Sequence, residues 1–354
     1  MAANANFEVH VMRAGRWAMD CVAATESEAR EVAKKLLANK QCEGARVIRN
    51  WMRADGMMVE AEIFCETRTL RDDDTVRIVA VEDAPPTCEV PAQYYGMSSR
   101  MVMNRLFRNY FEKAILTPTE VIHNYNELKR IQDKDMLVPS AVDRVATLQT
   151  RDTDQDSRVR RDDIHKNIDR MASRARRAAA MKLPKLNGRF ADLHRKMAEM
   201  AEDDVDADYL SMVALSRELV TLRNWLAKLE RLCGLAAAEI DPHGLELLDG
   251  VIADVLGANV VQEILGWQAG MGPAIIAMLD LADGKLLIEK SDAVEMATAL
   301  NGLFAAGKLP TSRLSLLDRV HRQLRSANPL YRNDPAKENE AFARVAERLM
   351  TPTG

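Results

Sequence analysis

Arg151–Asp163, RDTDQDSRVRRDD, decides how this chain divides. Its only large apolar side chain is Val159. A run this polar cannot supply a buried face, so it reads as a charged loop between two helical regions. Before it, residues 98–150 show helical spacing through Met101, Leu106, Tyr110 and Phe111, then Val142, Val145 and Leu148. Thr117-Pro118-Thr119-Glu120 is a strong helix start, with Thr as N-cap, Pro at N1 and Glu at N3. After it, residues 164–354 read as a helical bundle.

Further upstream the period changes. Phe7, Val9 and Val11 alternate with Glu8, His10 and Met12, and Trp17, Met19 and Cys21 with Ala18, Asp20 and Val22, which is the period of strands. Thr25 and Glu28 form a capping box before the apolar stripe Ala29, Val32, Ala33, Leu36 and Leu37. Two more strands follow, Arg46–Met52 and a last one with Met57, Val59, Ala61, Ile63 and Cys65 inward and Glu60, Glu62, Phe64 and Glu66 outward. Ala14-Gly15 and Asp55-Gly56 make the turns, Asp72-Asp73-Asp74 ends the unit, and Thr75–Val81 adds an edge strand. Residues 82–97, with Pro85-Pro86 and Pro91, read as a semi-rigid linker. The fold expected is α+β, mostly α: a small ββαββ domain over 1–81, then a large multi-helix region.

Within that region, Leu215, Leu219, Leu222, Leu226, Leu229 and Cys233 keep heptad spacing, which predicts one long helix over 206–235 and a surface for homo-oligomers. Gly257, Gly284 and Gly307 are expected just past helix ends, where positive φ favours glycine.

The central loop carries the sharpest chemical pattern. Asp152, Asp154 and Asp156 stand at positions 1, 3 and 5 of a twelve-residue window, Val159 at 8 and Asp163 at 12. This resembles an EF-hand calcium loop over about 30 residues. The resemblance implies Asp152, Asp154, Asp156 and Asp163 as side-chain ligands and the Arg158 carbonyl as a backbone ligand for calcium or magnesium. Ser157 replaces the glycine of position 6, Asp163 is one methylene shorter than the usual Glu, and Arg158, Arg160 and Arg161 bring positive charge. A solvated linker explains the same residues.

Residues 158–196 carry 13 Lys and Arg against no more than five acids. Lys166, Arg170, Arg174 and Arg177 would line one helix face for an acidic partner or nucleic acid, though Phe190 is the only aromatic there to stack on a base. His165 and Asp169 share a face, and the other histidines are scattered, each without a set of carboxylates or cysteines nearby.

With 354 residues, 47% apolar and 29% charged, the chain has the composition of an ordinary globular protein. A net charge of −4 gives no global attraction to nucleic acid or membrane. The longest uncharged run, Ile264–Leu279, is too short and too Gly-rich to span a bilayer. Five cysteines without a CxxC fit reduced thiols in a cytoplasm. HExxH, GxSxG, GxxxxGK[ST] and GxGxxG are all missing, so the sequence leans against an enzyme and names no cofactor. The expected function is that of a cytoplasmic, bacterial-type adaptor, scaffold or regulator acting on a protein partner through amphipathic helices. A divalent-cation response at 152–163 and anionic-partner binding at 158–196 are the alternatives.

Overall fold

The computed structural model describes residues 6–13, 16–38, 44–52, 58–67, 76–134, 136–202, 205–288, 293–331 and 334–350. The turns at Ala14-Gly15 and Asp55-Gly56, Met57 of the inward face and Asp72-Asp73-Asp74 lie outside the described residues. Internal contacts divide the chain into two compact units, Met1–Thr75 and Val76–Gly354.

The first unit is the expected ββαββ arrangement. β1 (Asn6–Arg13), β2 (Arg16–Ala23), α1 (Glu26–Ala38), β3 (Gly44–Met52) and β4 (Met58–Thr67) follow in order. All strand pairs are antiparallel, in the sheet order β2-β1-β3-β4. The Thr25 hydroxyl accepts from Glu28 N at 3.3 Å, which starts α1. Phe7, Val9, Ala45 and Val47 of the sheet then meet Ala29, Ala33 and Leu37 in one small core.

Strand alternation fails within β4. Val47 pairs with Phe64 but Ile48 pairs with Glu62, so Ile63 is an extra residue on β4. Such a bulge reverses the inward and outward sets beyond it. Phe64, expected outward, packs against the core, and Cys65, expected inward, is exposed.

The second unit is built of helices among its described residues, beginning with α2 (Pro91–Tyr94), α3 (Met97–Leu106), α4 (Arg108–Ala114), α5 (Pro118–His123), α6 (Tyr125–Gln132) and α7 (Leu137–Thr150). Then come α8 (Ser157–Ala180), α9 (Phe190–Ala198), α10 (Ala207–Leu219), α11 (Trp225–Ala238) and α12 (Pro242–Leu256). The chain ends with α13 (Val260–Leu265), α14 (Met271–Ala282), α15 (Val294–Ala305), α16 (Pro310–Arg325) and α17 (Pro335–Met350). α12 is central, packing on α11 and α16 and touching α3, α5 and α9. Leu248 and Ile252 on α12, with Leu215, Leu229 and Leu232, are fully enclosed.

Five further expectations need revision. The unit boundary falls after Thr75 rather than after 81. Val76–Val81 is no edge strand: Val79 N donates to Leu106 O at 2.8 Å, and Val81 packs against Leu106, Ala141 and Leu148. Residues 82–97 are strapped to the helices instead of linking two bodies. Gln149 donates to Pro86 O at 2.8 Å, Arg160 to Cys88 O at 2.9 Å and Asn167 to Glu89 O at 3.2 Å.

The heptad run is two helices. Asn224 accepts from Leu226 N at 2.7 Å and Ala227 N at 3.2 Å, an N-cap that starts α11 afresh after α10 ends at Leu219. Leu215, Leu219, Leu229 and Cys233 are buried in this chain's own core, and Leu222 and Leu226 pack at its margin. Gly284 and Gly307 have φ of 69° as expected, but Gly257 has φ −69°. A side chain at Gly257 would instead collide with Asn104, whose Nδ2 donates to Asp254 O at 3.0 Å.

Candidate metal centre

The central loop is shorter than its sequence suggests. Asp156 accepts from Arg158 N at 2.8 Å, so it is the N-cap of α8, and Ser157–Ala180 is helix. Positions 6 to 12 of the calcium-loop reading, including Arg158 and Asp163, therefore have helical backbone, leaving only residues 151–156 as the turn between α7 and α8. Asp152, Asp154 and Asp156 are exposed, and Asp163 lies 3.5 Å from Lys166 Nζ. On the basic face, Lys166, Arg170 and Arg177 are exposed, whereas Arg174 turns inward. Its guanidinium lies 3.8 Å from the Tyr209 ring centroid and 5.1 Å from that of Tyr95, and it pairs with Asp206 at 2.8 Å. His165 and Asp169 are both exposed on α8.

A different trio assembles where α9, α10 and α12 converge. Asp206 caps α10 by accepting from Tyr209 N at 2.8 Å, which sets Asp208 in the first turn, where the helix dipole favours a carboxylate. Asp241 caps α12 by accepting from Gly244 N at 2.8 Å, and Pro242 fills N1, which puts His243 at the helix entrance. On α9, Phe190, Leu193 and Met197 face the core, and His194 comes out beside them. The result is that His194 Nε2 and His243 Nε2 both lie 2.7 Å from the same atom, Asp208 Oδ1. The two rings stand edge-on, 5.2 Å between centroids.

The electrostatics match this geometry. Partial burial works against the Asp208 carboxylate, but hydrogen bonds and charge from His243 and His194 outweigh it and hold its pKa below the usual range. The hydrogen bond to Asp208 pushes His243 up against the effect of burial, with Glu246 and Asp241 adding to the rise.

Two imidazole nitrogens and one carboxylate oxygen within 4.8 Å of one another form a metal-ligand set. Ligands on a tetrahedral ion with bonds of about 2.0–2.1 Å lie roughly 3.3 Å apart, so each histidine–Asp208 contact need open by only about half an ångström. Three protein ligands leave coordination positions for water. Glu246 Oε2 lies 4.0 Å from His243 Nδ1, too far for a hydrogen bond but near enough for its charge to favour a proton on that nitrogen. Imidazole and carboxylate suit zinc, nickel or copper better than calcium.

Sequence reasoning placed no carboxylate near either histidine. The trio spans 194 to 243 and meets only through tertiary packing; the nearest local signals are the caps Asp206 and Asp241-Pro242, which mark helix starts without pairing them.

No family model, curated protein or solved structure matches this chain. No helix among the described residues is long and apolar enough to cross a membrane.

Several other buried ionisable groups are already paired. Glu120 and Lys228, both fully enclosed, are ion-paired, with Lys228 Nζ also donating to Ile115 O at 2.6 Å. Burial shifts Glu120 up and Lys228 down despite that contact. Asp254 accepts from Arg100 at 3.0 Å and from the Thr119 hydroxyl at 2.6 Å. His123 donates Nδ1–H to Thr119 O at 2.8 Å, between the rings of Tyr95 and Tyr209. Burial lowers its pKa to about 3, with Arg100 and Arg174 adding to the effect, so it is neutral.

Proposed function

We propose that this is a non-enzymatic regulatory or adaptor protein of the cytoplasm whose helical part responds to a divalent transition metal held by His194, Asp208 and His243. The observation that carries the reading is the approach of two Nε2 atoms to one Asp208 oxygen. A metal there would tie α9, α10 and α12 at one corner, and so bias the packing of the bundle. This gives the divalent-cation response a donor set with imidazole nitrogens, in place of the carboxylates of 152–163. A protein partner is supported by Trp267 and Leu287, which are 88% and 92% exposed.

The test is calorimetric titration of the metal-free full chain with zinc and nickel, beside thermal denaturation. At metal one hundred times Kd, stabilisation is about 2.7 kcal/mol. For a unit of this size that raises Tm by roughly 4–5 °C. The rise should vanish in Asp208→Ala and His243→Ala. Cys65 is exposed, so Cys65→Ser is the control for zinc held by thiol. An equal response in parent and Asp208→Ala sinks the proposal.

A further inference from the structure

A half-open cavity of about 320 Å³ lies where α4, α13 and α16 meet, and three arginines line it: Arg108, Arg319 and Arg322. Gln262, Gln323 and Ser326 complete its polar wall. None of its described lining residues is acidic.

Each guanidinium is held by one contact that leaves other N–H groups unspent. Arg319 is only 7% exposed, and its Nη1 donates to Ala258 O at 2.8 Å. Arg108 Nη2 donates to Asn259 Oδ1. Arg322 Nε donates to Asp318 Oδ2 at 2.8 Å, an acid that it shares with Arg105. Glu112 is the one other carboxylate acting on Arg319, and it is engaged by Asn259 N at 2.6 Å.

Three clustered guanidinia repel one another, and burying them adds a desolvation cost. Arg319 shows the strain: burial, then Arg108 and Arg322, lower its pKa to about 10. A backbone carbonyl, an amide and the Asp318 carboxylate, itself shared with Arg105, offset only part of that charge. An anion seated among the three forks would offset it through charge-assisted, bidentate hydrogen bonds.

The size and surroundings narrow the ligand. Gln323 Oε1 is buried without a hydrogen-bond partner, so a ligand that also carries a donor is favoured. A second cleft of about 510 Å³ continues from the first, sharing Arg108, Gly257, Arg322 and Ser326, and its wall adds Met97, Met101 and Asn104 together with the acids Glu82, Asp83, Asp254 and Asp318. An anionic group at the arginine end would therefore have beyond it a cleft that repels further negative charge and offers acceptors to a neutral, hydroxylated body.

We infer that this cavity binds a small phosphate monoester, its phosphate held by Arg108, Arg319 and Arg322 and its hydroxyl-bearing body lying toward Gln323 and the adjoining cleft. The site is separate from the His194–Asp208–His243 trio and does not depend on a metal there.

The test is calorimetry and thermal denaturation of the full chain with inorganic phosphate, a hexose phosphate and a nucleoside monophosphate. Each is compared with chloride at matched ionic strength, which removes non-specific screening. Saturable binding by a phosphate ester, tighter than inorganic phosphate, supports the inference. Arg108→Gln and Arg322→Gln should each weaken it about tenfold or more, the effect of losing one strong charge-assisted contact. Arg319→Met adds a readout independent of affinity. If the arginine serves the ligand, this variant loses the phosphate-induced Tm rise while the ligand-free protein melts no lower than the parent. Three outcomes would overturn the inference: phosphate species stabilising no more than chloride, the Arg108→Gln/Arg322→Gln double variant responding like the parent, or binding only of a single-stranded oligonucleotide.

Discussion

His123 should make this protein acid-sensitive long before its carboxylates protonate. In the unfolded chain a histidine titrates near pH 6.5, whereas burial lowers the folded value to about 3. Because the folded value is depressed, the contribution is complete above about pH 6.5 and is lost as pH falls below it. The gap of about 3.5 units corresponds to a ceiling of roughly 5 kcal/mol, reached only near pH 3. At pH 5 the unfolded chain already gains about 2 kcal/mol from protonation that the folded protein cannot match.

The perturbation is His123→Asn, which keeps a donor for Thr119 O, with His123→Phe as a second variant that keeps the ring between Tyr95 and Tyr209. Both will lower stability at pH 7.5. The informative quantity is the change between pH 7.5 and pH 5.0, measured by urea denaturation, for parent and variant alike. The parent should lose about 2 kcal/mol more than either variant over that interval. Other titrating groups are common to both proteins and cancel. Parent and variant curves running parallel within about 0.5 kcal/mol would refute the argument, as would an NMR titration of His123 with a midpoint near the free value.

Breaking the buried pair with Lys228→Met alone should cost about 3–5 kcal/mol, because Glu120 is left charged and enclosed. Glu120→Gln/Lys228→Met should recover most of that by chemical denaturation, since Gln can still accept from Thr117 N as Glu120 does at 2.8 Å. At the surface trio, the raised pKa of His243 gives a contribution present below about pH 6.5 and lost as pH rises through its folded value. The lowered pKa of Asp208 gives one present above about pH 4 and lost as pH falls through its folded value. The two together stabilise only between those limits, by less than about 1 kcal/mol at such half-exposed groups. Asp208→Asn should flatten that part of the pH–stability curve, and an unchanged curve would remove the linkage.

The parts of this fold legible in the sequence are those fixed by local pattern. Strand alternation found β1, β2 and β4, and the capping boxes at Thr25 and Thr117 found α1 and α5. What escaped depended on competition. Heptad spacing at 206–235 predicted continuity, but an Asn224 side chain ready to cap ended it. The polarity of 151–163 predicted a long loop. Most of that polarity belongs to the first turns of α8, where Arg160 reaches back to Gln149 and Cys88 O. Arg174 looked like one of four equivalent surface cations until Tyr95 and Tyr209 closed over it. The candidate metal and anion sites were illegible for a simpler reason: each joins residues from three or more helices, at separations that no periodicity encodes.

The sheet of the first unit has one further property. β2 and β4 are its outer strands, and each carries an added residue: Asp20 between the pairs Val9–Cys21 and His10–Met19, and Ile63 between Val47–Phe64 and Ile48–Glu62. An outer strand is a template on which another chain can add a strand. A bulge deepens the local twist and interrupts the even row of free N–H and C=O groups. Both borders of this sheet are therefore poor docking rails, which keeps a four-stranded, one-helix unit from polymerising through its own backbone at high concentration.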